Sequence, residues 1–329
     1  MSYQDFIKTH AIIESHQSYT SKQLVNIRRE LVDVLESSDH KDKITIVATG
    51  SYGRGEASDS SDIDLFILFD SDKLADEIIS TELKNIKEVI AKHVPNDSGD
   101  TGTFGMDAIL DFKSLLKNIG GENDSNINMT RRMLFLLEGT WLYGFERFED
   151  YRKKLLTQYT KDNSSSLERF LLNDIIRYYR TIATDFQHKV SEKKKSWGLR
   201  NLKLRFSRKI LYFAGVVVIA EMVDFKGSKE ERSSEIIKLL NLAALERIFG
   251  IGKGQGQTAR IFEHYNNFLT QISDPEKRAE LDKLTKDDRN ASAVYTAIRE
   301  DSREFSRILA SWLCEKYPNE HKIHNALIF

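Results

Sequence analysis

The segment ATGSYGRGEASDSSDIDLFILFD, residues 48–70, constrains the fold more than any other part of the chain. Before it, KITIVATG is β-branched and ends at Gly50, so it reads as a strand entering a turn. SDIDLFILFD then reads as a second strand, polar at its start and continuously apolar after it, as in a strand buried on both faces. Side chains alternate along a strand, so Asp62 and Asp64 point the same way while Ile63 points into the sheet. Two carboxylates placed so close repel and raise each other's pKa unless a cation sits between them. Hard divalent ions such as Mg²⁺ take oxygen ligands, usually one or two carboxylates plus the phosphate oxygens of a substrate. Gly50 lets the backbone come close to a ligand, and the amide and hydroxyl of Ser51 suit phosphate oxygens. Arg54, inside the same loop, is a further phosphate candidate. An Asp-x-Asp by itself is common in surface loops. Here it opens an apolar strand eleven residues after the serine of the turn, and a metal held between such a turn and an aspartate pair is the minimum apparatus for phosphoryl or nucleotidyl transfer.

GSYGRGEASDSSDIDLFIL resembles the signature of the polymerase-β-type nucleotidyltransferases: a Gly-Ser turn, a spacer, and Asp-x-Asp flanked by apolar residues. The resemblance implies that Asp62 and Asp64 bind two divalent ions, Mg²⁺ or else Mn²⁺, and that Ser51 contacts the triphosphate. It also implies a third carboxylate on a neighbouring strand, which deprotonates or positions the attacking hydroxyl. FGMDAILDF offers Asp107 and Asp111, both on one face of a regular strand. Asp107 is preferred as catalytic residue and metal ligand because it stands where the apolar run begins. Asp111 suits the N-cap of the helix that starts FKSLLKNI.

Around this core the rhythm is mostly helical. SKQLVNIRRELVDVLES repeats leucine and isoleucine at helical spacing, and DKLADEIISTELKNIKEVIAKHV does so again. Beyond a third, weaker strand in DTGTFGMDAILDF, the segments NMTRRMLFLLEGTWLYG, SLERFLLNDIIRYYRTIATDFQHKV, WGLRNLKLRFSRKILYFAGVVVIAEMV and SREFSRILASWLCEKY all read as helices. The expected class is α+β: a small mixed β-sheet nucleotidyltransferase core over 1–125, then an all-α domain over 126–329 that completes the nucleotide cleft. Only three prolines occur in 329 residues, so long helices are rarely interrupted. The 49 basic and 50 acidic residues nearly cancel, so any basic patch must be local. A single cysteine, Cys314, excludes an internal disulfide and a cysteine metal cluster, as in a reducing cytosol. The N-terminus lacks a signal-peptide pattern, and ILYFAGVVVIA is too short to span a bilayer. A cytoplasmic protein without membrane insertion is the expectation.

Beyond the core the chain is similar, over Gly50 to Ala220, to bacterial proteins that share the nucleotidyltransferase core and helical region of PII uridylyltransferases. TRRMLFLLEGTWLYG, FLLNDIIRYYRT and WGLRNLKLRFSRKILYF carry the similarity. Asn201 departs from it, standing where those proteins carry an aspartate. Their phosphohydrolase and regulatory domains find no room in this length, so an acceptor other than PII is expected. RNLKLRFSRK places Lys203, Arg205, Arg208 and Lys209 on about three helical turns, with residues 201, 205, 208 and 209 together. These four, with Arg177 of NDIIRYYRT, are candidates for the nucleotide's phosphates, the alternatives being a solvated helix face and a structural network with Asp174 and Asp185.

Two other motifs carry less. GIGKGQGQT lacks the Gly-Lys-Ser/Thr of a phosphate loop and lies between helices, so it reads as a connection. HKIH has metal-ligand spacing without a third ligand, and Trp141, Tyr143, Phe145 and Phe148 read as a core cluster. The function expected is transfer of a nucleoside monophosphate from an NTP or dNTP to a hydroxyl, on a protein side chain or a nucleotide or nucleic-acid end. Synthesis of a nucleotide signal in antiviral defence and a non-catalytic, antitoxin-like nucleotide-binding module with a partner protein are the alternatives.

Overall fold

The computed structural model describes residues 1–70, 79–94, 108–160, 167–191 and 196–328. The chain forms two compact units: Ser15–Lys161, and a second composed of Met1–Glu14 with Asp162–Phe329. After a short helix α1 (Tyr3–Ile7), the long helix α2 (Ala11–Leu35) leads into the first unit. It starts ten residues before the segment SKQLVNIRRELVDVLES read as helical, because Ile13, His16 and Thr20 continue the buried stripe of Leu24, Ile27, Leu31 and Leu35.

The first unit is built on a four-stranded mixed sheet in the order β3-β2-β1-β4. β1 (Ile44–Thr49) pairs antiparallel with β2 (Asp64–Phe69), in a register that sets Thr49 opposite Asp64. Between them lies a five-residue helix, α3 (Gly50–Arg54). β3 (Ile109–Leu110) runs parallel to β2, and β4 (Thr140–Tyr143) antiparallel to β1. α4 (Ser80–His93) and α5 (Phe112–Leu116) flank β3 in sequence, followed by α6 (Asn126–Leu137) and α7 (Phe145–Tyr159) around β4. Both central strands are buried along both faces, as their apolar runs require. On one face Ile44, Ile46, Leu65 and Ile67 share a core with α2 and with Ile86, Val89 and Ile90 of α4. On the other, Phe66 meets Phe135 of α6 edge-on, and Phe135 meets Phe148 of α7 in the same way.

β4 corrects the reading of NMTRRMLFLLEGTWLYG as one helix. α6 ends at Leu137, and Gly139 begins a turn into a β-branched and aromatic strand. Arg152, wholly buried on α7, stops α6 by donating to the carbonyls of Phe135, Leu136 and Gly139. Its side chain thereby satisfies oxygens that a helix end leaves unpaired. The sheet unit accordingly extends to Lys161, past residue 125 where the sequence reading breaks the chain. Of the four aromatics expected in a core, Phe148 is buried and Phe145 is half exposed, while Trp141 lies under the Arg28 guanidinium at 3.9 Å.

The second unit is helical: α8 (Arg169–Ser191), α9 (Gly198–Lys203), α10 (Lys209–Glu221), α11 (Lys229–Leu240), α12 (Ala244–Ile251), α13 (Gln257–Ser273), α14 (Pro275–Lys283), α15 (Ala293–Lys316) and α16 (Lys322–Ile328). α9 and α10 are one rod, joined by a π turn at Leu204–Arg208. Phe206 of that turn stacks on Phe268 at 4.3 Å and on Phe305 at 5.0 Å. The apolar run of α10 is buried from end to end apart from Tyr212, as the central rod of a helical unit must be. The Gly-rich GIGKGQGQ joins α12 to α13, as read. In HKIH, His324 Nε2 lies 3.0 Å from the carbonyl of Tyr317, and among the described residues no three metal-ligating side chains converge. Nor is any helix among them long and apolar enough to cross a membrane.

Candidate active site

The site begins where β1 hands over to α3. Gly50 takes a left-handed φ of 67°, which reverses the chain at the end of the strand. A Cβ built there would lie 2.6 Å from Asp64 Oδ2, so the carboxylate of Asp64 rests directly against the turn. Only glycine permits that approach. Ser51 follows, half-buried, and its hydroxyl makes no hydrogen bond among the described residues. Its carbonyl receives the Glu56 amide at 2.8 Å, closing the loop behind α3.

β2 starts at Asp64, so Asp62 lies just before the strand. Even so, the alternation holds: Asp62 is exposed, Ile63 is buried at 1% exposure, and Asp64 is half-buried at the strand's mouth. Asp62 makes no ion pair or hydrogen bond among the described residues, although its charge, after burial and Tyr19, helps raise the pKa of the buried Tyr52 hydroxyl. An exposed carboxylate without a partner among the described residues and a second one pressed on the Gly-Ser turn are of the chemistry that suits a divalent ion whose shell a substrate phosphate completes. Two carboxylates are what the described residues supply. Asp107 lies outside the described residues. Asp111 caps α5, accepting the Lys113 amide at 3.1 Å, as the sequence suggests.

Arg54 differs most from its expected place. The side chain is buried, with Nε 2.8 Å from Glu56 Oε2 and Nη1 2.6 Å from Glu138 Oε2. A guanidinium held by two buried carboxylates serves the turn rather than presenting its charge to a ligand. Glu138 was hidden from the sequence reading inside a presumed helix. It follows α6, its side chain is buried, and its Oε1 accepts the Gly50 amide at 3.0 Å. The one signal available was Glu-Gly after an apolar helix, where the glycine marks a break.

In the helical unit, taken by itself, Arg205 and Lys209 stand on one side of the rod, both half-buried. Arg205 Nε donates to Asn201 Oδ1 at 2.7 Å, and the same oxygen receives the Tyr295 hydroxyl at 3.0 Å. Lys209 Nζ donates to the Ser306 hydroxyl. Burial first, and then the Arg205 charge, pulls the Lys209 ammonium below the usual lysine range. Neither cation has a carboxylate partner among the described residues. Asn201 explains part of this: an aspartate there would neutralise Arg205, whereas the amide leaves its charge uncompensated. Tyr179 and Tyr212 stack at 4.8 Å, and Arg205 draws down the Tyr179 pKa, which burial and Tyr212 push up to about 12. Arg177 pairs with Asp174 at 3.7 Å. Lys203 and Arg208 are half-buried on the same rod.

Residues 28–98 match the family model of the nucleotidyltransferase domain. The matched segment carries β1, the Gly-Ser turn and the aspartate pair. β4, Glu138 and Arg152 complete the sheet unit outside it. No curated protein matches the chain.

Proposed function

We propose that the protein is a metal-dependent nucleotidyltransferase that moves a nucleoside monophosphate from an NTP or dNTP to a hydroxyl acceptor and releases pyrophosphate. The observation that carries this reading is the Asp64 carboxylate lying against the left-handed Gly50, beside a serine hydroxyl that has no partner among the described residues. Asp62 and Asp64, with Asp107 as the proposed third carboxylate, would hold the divalent ions, Mg²⁺ by preference. Bound there, such ions neutralise phosphate charge and polarise the phosphoryl oxygens.

The chain's own residues orient the reactants. Ser51 donates to the triphosphate and holds its tail against the turn. Asp107 takes the proton of the acceptor hydroxyl as that oxygen bonds to the α-phosphorus. The bond from the α-phosphorus to the bridging oxygen breaks, and pyrophosphate leaves with the electron pair. Positioning and charge neutralisation account for most of the rate, so few protein groups are needed. Arg205 and Lys209 are proposed as phosphate contacts of the helical unit, with Arg177, Lys203 and Arg208 beside them.

Incubation with each labelled NTP and dNTP, with Mg²⁺ or Mn²⁺, tests the reading. Release of pyrophosphate and transfer of label support it; a folded chain that turns over none of them removes it. Label retained on protein marks a side-chain acceptor, and a ladder or a small cyclic product marks a nucleotide acceptor. Lys209→Met is expected to weaken nucleotide binding by roughly tenfold, the worth of one charge-assisted hydrogen bond. Calorimetry reads that change, and unaltered affinity would return Lys209 to a purely structural place beside Ser306.

A further inference from the structure

The geometry points to Glu138 as a positioning residue that fixes the Gly-Ser turn for phosphate binding, a role that rests on the nucleotidyl-transfer reading above. A carboxylate has two oxygens, and here each meets a different donor of the turn. Oε1 takes the Gly50 amide at 3.0 Å and Oε2 takes Arg54 Nη1 at 2.6 Å. Gly50 opens α3 and Arg54 closes it, so one buried side chain spans the whole element.

The backbone of Glu138 adds a second restraint. Gly53 packs onto its carbonyl so closely that a Cβ would lie 2.0 Å from that oxygen. Glu138 is itself fixed, because Arg152 ties down the carbonyls of Phe135, Leu136 and Gly139 on either side of it. The peptide entering Gly50 is therefore locked to α6 and, through Arg152, to α7. Glycine is free to take either hand, so Gly50 holds one conformation only where its surroundings select it, and the Ser51 hydroxyl takes its direction from that peptide.

The side chain must be a carboxylate. A glutamine offers one acceptor oxygen to two donors, and the charged guanidinium takes it in preference to a neutral amide. Glu138→Gln thus leaves Gly50 N–H unmet while Arg54 still pairs with Glu56. Glu56→Gln is the matched comparison, since it takes one carboxylate from the same arginine without touching Gly50.

The probe is inorganic triphosphate with Mg²⁺, titrated calorimetrically at a temperature where circular dichroism shows each variant folded. Glu138→Gln is expected to weaken triphosphate binding on the order of tenfold. It should also speed hydrogen exchange at the Gly50 amide, whereas Glu56→Gln stays within about twofold of the parent chain on both measures. Equal effects of the two substitutions would overturn the role and leave Glu138 a member of a structural ion network. If Glu138→Gln does not fold, Glu138→Asp, which keeps the charge but shortens the reach, takes its place under the same expectation; failure of both to fold would also overturn the role. Absence of triphosphate binding by the parent chain would remove the underlying reading and the role with it, an outcome distinct from loss of the difference between variants.

Discussion

Joint replacement of Asp62 and Asp64 by alanine is expected to reduce nucleotidyl transfer to background while leaving the protein folded. The two residues sit at the mouth of β2, one exposed and one half-buried, so truncation opens no apolar cavity. It also removes two like charges from neighbouring positions, whose mutual repulsion opposes folding when no cation lies between them. Thermal melting should therefore stay within a few degrees of the parent chain or rise slightly, while labelled-NTP turnover disappears. Turnover that persists in a folded double variant would end the nucleotidyltransferase assignment. Loss of turnover together with loss of folding would show instead that the pair is structural.

The second large effect is expected at Gly53. Its φ is ordinary, yet a methyl group there would fall 2.0 Å from the Glu138 carbonyl oxygen, with the Ala48 carbonyl also near at 3.5 Å. Backbone has to move to admit it, and the backbone in question is held by Arg152 and by β1. Gly53→Ala should cost about 3 kcal/mol or more, in the range of severe overpacking, and lower the melting temperature by on the order of ten degrees. Gly55 gives the contrast. Its φ of 71° strains any side chain, but the nearest atom to an added Cβ is Gln17 Cγ at 3.6 Å. Gly55→Ala should cost only roughly 1 kcal/mol, the conformational term alone. If the two glycines respond equally, α3 is not packed on the Glu138 backbone and the turn is not rigid.

The parts legible in the sequence are those whose signals are local. β1, the turn and β2 are marked by β-branched runs, a glycine and an apolar strand, each readable within ten residues. The buried stripe of α2 is marked by helical spacing, although its start is not, because Ile13, His16 and Thr20 include polar residues whose burial only the packed structure reveals. β4 escaped because TWLY is four residues long and follows an apolar helix without a proline or a run of turn residues. Its strand character comes from pairing with β1, almost a hundred positions earlier, which no local pattern reports. The roles of Arg54 and Glu138 escaped for the same reason. Loop arginines near a phosphate-type turn look alike in sequence whether they face a ligand or a buried glutamate 84 positions away. Among the helical cations, spacing grouped Arg205 with Lys209, but their neutral partners, Asn201, Tyr295 and Ser306, come from the rod itself and from α15.

The π turn between α9 and α10 has a bearing on how this rod could change. A wider turn stores one residue more than an ordinary helix needs to join the same two ends, and such insertions gather at working surfaces. The rod could shed that residue and rewind without shortening its buried span, but everything on one side would then swing by about 100° relative to the other. Arg205 lies inside the turn and Lys209 just beyond it, so a deletion between them would leave the two charges three positions apart and still neighbours, while turning α9 with its Lys203 relative to α10. The surplus residue thus acts as a register pin, and the clamp of Phe268 and Phe305 on Phe206 keeps it in place.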